Sequence, residues 1–208
     1  MSRDRRSTLG PPAKPLLIVL SGLSGVGKDT VLVDLKKSSL PVFFSVSATT
    51  RARRSGEKEG ADYYFVSTEK FQQMIDADEL LEWATVYGNR YGIPRAPVRQ
   101  AIERGQDVIV KIDVQGAATI RKKVPGAVLI FLVTSTLDEL ESRLNKRRTE
   151  SPEELELRLK TAVKELDSTS MFDYIVVNRH DEIRRTIDTI KAIVTAEKCR
   201  ILPRDLSI

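Results

Sequence analysis

The residues with the clearest chemistry form a glycine-rich loop near the start of the chain. Residues 22–28 have the sequence G-L-S-G-V-G-K, which matches the pattern G-x-x-x-x-G-K. An unbroken apolar run at 16–20 precedes this loop, and apolar side chains at helical spacing follow it at 30–37. Between a strand and a helix, the backbone N–H groups of such a loop form a nest for phosphates, and the lysine adds a mobile positive charge. The sequence therefore predicts a nucleoside triphosphate site formed by Gly22, Leu23, Ser24, Gly25, Val26, Gly27, Lys28, Asp29 and Thr30.

One position of this loop departs from the usual pattern. The motif expects Ser or Thr after the lysine as a ligand of Mg²⁺, whereas this chain has Asp29 followed by Thr30. Two roles for Asp29 are open: a Mg²⁺ ligand, direct or through water, or a carboxylate that stabilises the positive end of the helix. We favour the second role, because an uncompensated carboxylate beside the triphosphate would weaken binding. We expect substrate phosphates to hold most of the Mg²⁺, with Asp29 or Thr30 as the candidate protein ligands.

A second group of polar and aromatic residues follows the loop along the chain. Its segments are S-V-S-A-T-T-R-A-R-R at 45–54, D-Y-Y-F at 62–65, E-W-A at 82–84, G-N-R-Y-G at 88–92 and I-D-V-Q-G at 112–116. Paired arginines suit a phosphate dianion, because two planar guanidinium groups can each make two hydrogen bonds. Taken singly, these residues also fit a solvated basic loop and ordinary strand packing. Together, in this order and spacing, they indicate an acceptor site.

The loop and these segments together resemble guanylate kinases, and the resemblance extends over roughly 16–198. It implies that the guanidinium groups of Arg51 and Arg54 hold the phosphate of GMP, and that the hydroxyl groups of Tyr63 and Tyr91 reach the same phosphate. It also implies transfer of a phosphoryl group from ATP to GMP, giving ADP and GDP in purine nucleotide metabolism, with dGMP as a second acceptor.

The same resemblance assigns the base of GMP to other residues. Ser47 matches a serine that hydrogen-bonds the guanine, and Glu82 matches the acid that accepts from its N1–H and 2-amino groups. Adenine lacks both donors and would leave Glu82 unpaired, which can discriminate by roughly 10⁴. Asp113 matches an aspartate near the metal and the incoming phosphate, and Gly116 allows that segment to approach closely.

The resemblance further implies a lid over ATP at 143–169. Arg147 and Arg158 match arginines that neutralise the transferring phosphoryl group, and with Lys28 and Asp113 they are the predicted catalytic residues. Asn178 matches a residue near the adenine of ATP. Arg143 lies four residues before Arg147 and can share its helical face; taken alone, we interpret it as part of a charged surface helix.

Several positions depart from the family pattern. Ile93 replaces a hydroxyl residue that contacts guanine, so selectivity is expected to depend more on Ser47 and Glu82. Lys111 replaces an acid two positions before Asp113, which changes the charge near the acceptor and Mg²⁺. Leu23 replaces a proline of the loop, and the lid has K-R-R at 146–148 instead of G-R-G.

Strands and helices must alternate to position these residues. Apolar runs predict strands at 16–20, 42–46, 63–66, 108–112, 128–133 and 174–177, and a hairpin at 80–87 and 90–93 that turns at 88–89. Apolar side chains at helical spacing predict helices at 30–37, 68–76, 94–104, 114–123, 137–145, from about 154 to 168, and at 181–198. This pattern predicts an α/β fold with a parallel sheet between helices, the three-layer core of P-loop NTPases. We expect a core at 16–47, 98–142 and 170–208, a β-rich GMP-binding insert at 48–97, a helical lid at 143–169 and a disordered basic tail at 1–15.

Composition narrows the function classes. One cysteine, Cys199, excludes an internal disulfide, and a single histidine, His180, argues against a histidine-based metal site or a Ser-His-Asp triad. No apolar run approaches the roughly 20 residues of a membrane span. The net charge of +5 fits an anionic partner. We expect ATP and GMP as partners, no nucleic acid and no membrane, a cytoplasmic location, and a monomer or small homo-oligomer.

A basic nucleic-acid binder is one alternative function, but it would need a continuous basic stripe with exposed aromatic residues, whereas the aromatic residues here cluster in the insert. A non-catalytic binding module of the same fold is the other alternative function. Such a scaffold domain is expected to lose the phosphate loop or the residues of the acceptor site. This chain keeps the six residues that matter most for catalysis, so the enzyme is favoured: Lys28, Arg51, Arg54, Glu82, Asp113 and Arg147.

Overall fold

The computed structural model describes residues 14–145, 152–179 and 181–207, and of residues 152–156 it describes only the backbone. The strands in chain order are β1 (Leu17–Gly22), β2 (Val42–Phe44), β3 (Ser47–Thr49), β4 (Tyr63–Phe65), β5 (Leu80–Val86), β6 (Asn89–Pro94), β7 (Asp107–Lys111), β8 (Val128–Val133) and β9 (Tyr174–Val177). The α-helices are α1 (Lys28–Lys37), α2 (Thr68–Asp76), α3 (Arg95–Glu103), α4 (Val114–Lys123), α5 (Leu137–Asn145), α6 (Pro152–Leu166) and α7 (Ile183–Lys198), and a 3-10 turn covers Thr169–Met171.

A parallel sheet of five strands in the order β2-β7-β1-β8-β9 forms the core. Side chains of β1 alternate between two apolar clusters: Ile18 belongs to one, and Leu17 and Val19 belong to the other. All three side chains are fully buried. The sheet is therefore covered on both faces, which is why its central strand is an unbroken apolar run. The predicted α/β class with a parallel sheet is confirmed.

A second sheet of four strands, in the order β4-β3-β6-β5, lies between β2 and α3 in the chain. Strand β3 pairs in parallel with β4 and antiparallel with β6, and β5 and β6 form a hairpin. The predicted single strand at 42–46 was wrong in its extent, because β2 ends at Phe44 and the chain enters the second sheet at Ser47. The hairpin turns at Tyr87 and Gly88, one residue earlier than predicted. Both residues have positive φ, 49° and 77°, as a tight hairpin turn of the mirror-image type requires.

Most predicted helices lie where the sequence places them, and α2, α4 and α5 have the predicted bounds. Helix α1 begins two residues earlier than predicted, at Lys28, because the loop glycine before it, Gly27, already serves as its N-cap. Helix α6 begins with Pro152 in its first turn, where proline is tolerated since that N–H has no helical partner. The predicted tail at 1–15 lies almost entirely outside the described residues. Within the described ranges, no helix has both the length and the apolar character needed to cross a membrane.

Candidate functional site

The phosphate loop connects β1 to α1, and its glycines have backbone conformations that other residues rarely adopt. Gly25 and Gly27 have φ of 85° and 94°. At Gly22 a Cβ atom would lie 2.3 Å from the carbonyl oxygen of Leu132, so only glycine fits beside β8. The Lys28 ammonium folds back and donates to the carbonyl oxygens of Gly22 (2.7 Å) and Leu23 (3.1 Å). Burial lowers the pKa of Lys28, while the nearby carboxylates of Glu165, Asp29 and Asp113 counteract this effect. The result is a closed loop with a cation at its centre.

Two side chains support this loop from behind. Arg143 of α5 donates to the carbonyl oxygens of Val26 (2.7 Å) and Asn178 (2.6 Å), and it also pairs with Glu139. The Asn178 amide donates to the same Val26 oxygen at 2.8 Å and accepts from Thr186 at 3.1 Å. The side chain of Arg143 is only 15% exposed, so its interpretation as part of a charged surface helix was wrong. The i,i+4 spacing of Glu139 and Arg143 is visible in the sequence, but the hydrogen bond from Arg143 to the loop is not.

The end of α6 also reaches the loop. The Glu165 carboxylate accepts a hydrogen bond from the backbone N–H of Ser24 at 2.8 Å. Burial raises the pKa of Glu165, although this N–H and Lys28 oppose the shift. A carboxylate in this position orients the opening turn of the loop and links it to the helix that carries Arg158.

Beside the loop, an open cleft separates the core sheet from the second sheet. Lys28, Asp29, Lys111 and Asp113 line its core side. The opposite side is formed by residues from all four strands of the second sheet, because β3, β4, β6 and β5 each contribute one polar side chain: Ser47, Tyr63, Tyr91 and Glu82. Residues distant in the sequence are brought together because these strands are neighbours, with Ser47 opposite Tyr63 and Thr49 opposite Tyr91.

An arginine of this sheet approaches the same tyrosines. The Arg51 guanidinium carbon lies 5.4 Å from the ring centroid of Tyr63, and the rings of Tyr63 and Tyr91 meet edge to face at 6.0 Å. The Glu57 carboxylate accepts from the Arg51 side chain (2.7 Å) and from the backbone N–H of Arg54 (2.7 Å). The pKa of Glu57 is lowered by its hydrogen bond from Arg51. Glu57 thus shows that a carboxylate can bind the Arg51 guanidinium and the backbone N–H of Arg54 together, while the Arg54 residue is exposed.

At the other end of the cleft, a buried carboxyl group lies against the start of α4. Burial, with the nearby Asp113, raises the pKa of Glu82 to about 8. Asp113 caps α4 by accepting from the N–H of Gly116 at 2.9 Å, and burial raises the pKa of Asp113 as well. A Cβ atom at Gly116 would lie 2.5 Å from Oε2 of Glu82, so a glycine is needed for this close approach. Burial and the neighbouring Asp113 therefore favour the protonated form of Glu82 in the unliganded cleft.

The carboxylate of Asp29 faces the cleft and accepts from Lys111, at the end of β7. Lys111 also donates to the Tyr63 hydroxyl at 3.0 Å. Although burial lowers it, the pKa of Lys111 is raised overall by Asp29 and Tyr63. Asp29 lies in the first turn of α1, as its predicted stabilising role at the helix terminus requires. That role stays a prediction, and the partnership with Lys111 is an addition that the sequence did not indicate.

The hairpin turn of the second sheet touches both the phosphate loop and α6. The Tyr87 hydroxyl lies 3.5 Å from Oγ of Ser24, and the Arg158 guanidinium carbon lies 5.3 Å from the Tyr87 ring centroid. A cation over an aromatic face is attracted by about 0.5–1 kcal/mol at an exposed site. Tyr87 therefore joins the three parts of the chain that surround the cleft.

Comparisons with known proteins identify the family. Residues 14–197 match the family model described as guanylate kinase. The chain belongs to the guanylate kinase family. The guanylate kinase of Desulfitobacterium hafniense (strain Y51) is 51% identical over 186 residues, which cover 89% of this chain and 92% of the relative. The guanylate kinase of Halalkalibacterium halodurans is 49% identical over 187 residues, covering 90% of this chain and 91% of the relative. The crystal structure of guanylate kinase from Anaplasma phagocytophilum has a TM-score of 0.74 and 34% identity, covering 90% of this chain and 88% of that one.

Most of the residues predicted from the guanylate kinase resemblance have a definite place in the structure. Seven of them line the one cleft: Lys28, Asp29, Ser47, Tyr63, Glu82, Tyr91 and Asp113. Asn178 is only 4% exposed, and both ends of its amide bond to protein, so here it supports the phosphate loop. Ile93, the departure from the guanylate kinase pattern, is fully buried in an apolar cluster. Arg147 lies outside the described residues.

Sequence reasoning missed four contributors around the cleft. Glu165 and Tyr87 were not singled out, Arg143 was assigned to the surface, and Lys111 was noted only as a departure. Each acts through a contact with a residue far away in the chain, for which the sequence carries no local signal. Over the described residues there is also no group of three or more His, Cys, Asp or Glu side chains suited to hold a metal ion.

Proposed function

We propose that this chain transfers the γ-phosphoryl group of ATP to GMP, and also to dGMP, and produces ADP and the corresponding diphosphate. The observation that carries the proposal is that one cleft has the phosphate-loop Lys28 at one side and the buried Glu82 at the other. ATP needs a cation and backbone N–H groups to bind its phosphates, and GMP needs a hydrogen-bond acceptor for the N–H groups of its guanine. No observation favours the non-catalytic scaffold alternative.

On the donor side, the loop from Gly22 to Thr30 binds the triphosphate. Its backbone N–H groups and the start of α1 supply fixed partial positive charges. The Lys28 ammonium, now bonded to two loop carbonyls, turns toward the β- and γ-phosphates when ATP binds. Arg143 and Asn178 hold Val26 in place, so the loop is already shaped for its ligand.

On the acceptor side, GMP lies along the second sheet. Arg51, Arg54, Tyr63 and Tyr91 bind its phosphate. The Glu57 carboxylate now lies in this region, where it accepts from the Arg51 side chain and from the backbone N–H of Arg54. At the base, Glu82 accepts from N1–H and the 2-amino group of guanine in its ionised form, and Ser47 adds a hydrogen bond. Adenine lacks both donors, so it would leave the buried Glu82 carboxyl group without the two hydrogen bonds that guanine supplies, which disfavours AMP.

The chemistry consists of positioning and charge neutralisation. The acceptor phosphate is already ionised, so its attack requires no general base. Lys28, Arg158 and Arg147 offset the negative charge that develops on the transferring group. Tyr87 holds Arg158 near the loop and couples the second sheet to α6. Closure over the substrates excludes water, which would otherwise accept the phosphoryl group.

Mg²⁺ is proposed as a cofactor held jointly with the substrate phosphates. The oxygen ligands that Mg²⁺ prefers are present in the Asp29 carboxylate and the Thr30 hydroxyl, beside the loop. When bound, Mg²⁺ neutralises charge on the β- and γ-phosphates.

The division of the chain is part of the proposal. Residues 16–47, 98–142 and 170–208 form the core, residues 48–97 form the GMP-binding insert and residues 143–169 form the lid. The second sheet and the position of α6 beside the loop support this division. We propose that the protein acts in the cytoplasm, as a monomer or small homo-oligomer, and binds neither nucleic acid nor membranes.

An assay of ADP release tests the function. The protein is given ATP and Mg²⁺ with GMP, dGMP, AMP, UMP or CMP as acceptor. We expect turnover with GMP and dGMP and at least a thousandfold lower kcat/KM with AMP. Equal turnover of AMP and GMP would remove the assigned role of Glu82, and no turnover with any acceptor would leave only a binding function.

A further inference from the structure

Two residues that depart from the family pattern are in contact. Asp29 replaces the expected Ser or Thr of the phosphate loop, and Lys111 replaces an acid at the end of β7. They are 82 positions apart in the chain, yet the Lys111 ammonium donates to the Asp29 carboxylate. The exposed fraction is 15% for the Lys111 side chain and 71% for the Asp29 side chain. An ion pair with one partner so exposed adds little to stability, usually about 0–1 kcal/mol. A contribution to stability therefore does not by itself explain why a lysine is buried at position 111.

Lys111 also contacts the acceptor side of the cleft. Its ammonium lies 3.0 Å from the Tyr63 hydroxyl and 4.9 Å from the Tyr63 ring centroid. The Arg51 guanidinium carbon lies 5.4 Å from the same centroid. Two cations thus surround the tyrosine whose hydroxyl is proposed to bind the phosphate of GMP. An ammonium has three N–H donors, and among the described residues two of them are used by Asp29 and Tyr63.

We propose that Lys111 binds the phosphate of GMP, together with Arg51 and Tyr63, and that Asp29 is the positioning residue that holds Lys111 in place. This inference rests on the proposed function. A phosphate oxygen in hydrogen-bond contact with the Tyr63 hydroxyl lies within reach of the Lys111 ammonium, which is 3.0 Å from that hydroxyl. The positive charge of Lys111 also offsets part of the negative charge of the Asp29 carboxylate beside the cleft. An acid at position 111 would instead add a third carboxyl group to the core side of the cleft, beside Asp29 and Asp113.

The test compares Lys111→Met with a matched control, Lys37→Met. The control makes the same chemical change in an ion pair of α1, since Lys37 donates to Asp34 at 2.8 Å and its side chain is 71% exposed. For Lys111→Met we expect the KM for GMP to rise at least tenfold while kcat falls less than threefold. Lys111→Arg should restore the KM for GMP to within about threefold of the wild-type value. Lys37→Met should leave both constants unchanged.

Asp29→Asn separates the two substrates. In Lys111→Met the Asp29 carboxylate loses the positive charge of Lys111, so the KM for ATP should also rise. Adding Asp29→Asn should leave the KM for GMP high, because the GMP phosphate still lacks the lysine. A normal KM for GMP in Lys111→Met overturns the inference, and so does a fall in kcat alone. If Lys111→Met does not fold, Asp29→Asn alone tests the inference. Loss of the Asp29 carboxylate should displace Lys111 and raise the KM for GMP about threefold. An unchanged KM for GMP in this variant is contrary to the inference. Absence of GMP turnover in the wild type would instead count against the proposed function.

Discussion

The phosphate loop and the acceptor pocket hold anions in different ways. The loop presents backbone N–H groups from one short stretch, and its glycines give that stretch its shape. The pocket presents side chains from four strands, namely Ser47, Tyr63, Tyr91 and Glu82, and from the core strand that carries Lys111. A backbone site can be recognised from one continuous motif, whereas a side-chain site exists only once the sheet has formed. Substitutions in the phosphate loop and in the acceptor pocket should therefore impair the protein in different ways.

The largest effect is expected for the loop cation. Lys28→Met removes the charge that meets the β- and γ-phosphates while keeping the length of the side chain. We expect kcat to fall by a factor of roughly 10² or more, which corresponds to about 3 kcal/mol. The KM for GMP should change little, because Lys28 belongs to the donor side. Steady-state kinetics with each substrate varied in turn measures both, and a near-normal kcat would remove Lys28 from the mechanism.

The matching change on the acceptor side is Gly116→Ala. A Cβ atom here would meet Oε2 of Glu82 at 2.5 Å and Oδ1 of Asp113 at 3.2 Å, so the two carboxyl groups must move. We expect the KM for GMP to rise by roughly 10- to 30-fold with the KM for ATP unchanged. Gly105→Ala cannot serve as the control, because Gly105 has a positive φ of 75° and any side chain there would strain the backbone. Ala118→Gly, on the same helix as Gly116, is a better control. Equal changes in both KM values would show that the two sides of the cleft are not separable.

Much of the fold was predictable, because burial on both faces of the core sheet produces unbroken apolar strands. The bounds of β8 follow directly from that pattern, and those of α4 follow from apolar side chains at helical spacing. The end of β2 was not predictable, because the apolar run continues to Val46 while the chain already bends toward the second sheet.

The residues of the site also divide into those that the sequence predicts and those that it does not. The residues of the phosphate loop follow from their spacing, and those of the acceptor pocket followed only from the family resemblance. The contacts of Lys111 with Asp29, Arg143 with Val26 and Glu165 with Ser24 join residues 82, 117 and 141 positions apart. Charged residues of this kind look like surface residues in a sequence, because their partners are fixed only by the tertiary structure.

A smaller effect concerns pH and acts on the acceptor side alone. Glu82 must be ionised to accept from guanine, but burial and the nearby Asp113 raise its pKa to about 8, with Lys123 opposing the shift. Between pH 6.5 and 8 the KM for GMP should therefore fall as pH rises, by at most about tenfold per unit. The KM for ATP should stay nearly constant over this range. Glu82→Gln should abolish the pH dependence, and a KM for GMP independent of pH in the wild type would contradict a protonated Glu82.

The smallest effect is on the stability of the free protein, and it has the opposite sign to the effect on function. The unfolded chain ionises Glu82 near pH 4.5, whereas the folded protein keeps the proton up to about pH 8. Stability from this group is complete below pH 4.5 and is lost as pH rises toward 8, because the folded state binds more protons than the unfolded state. Between pH 6 and 7 the free energy of unfolding should fall by about 1 kcal/mol more in the wild type than in Glu82→Gln. Chemical denaturation at the two pH values measures this difference. Glu82→Gln should thus be less sensitive to pH and a poorer GMP enzyme, because the buried carboxyl group that recognises guanine destabilises the empty pocket.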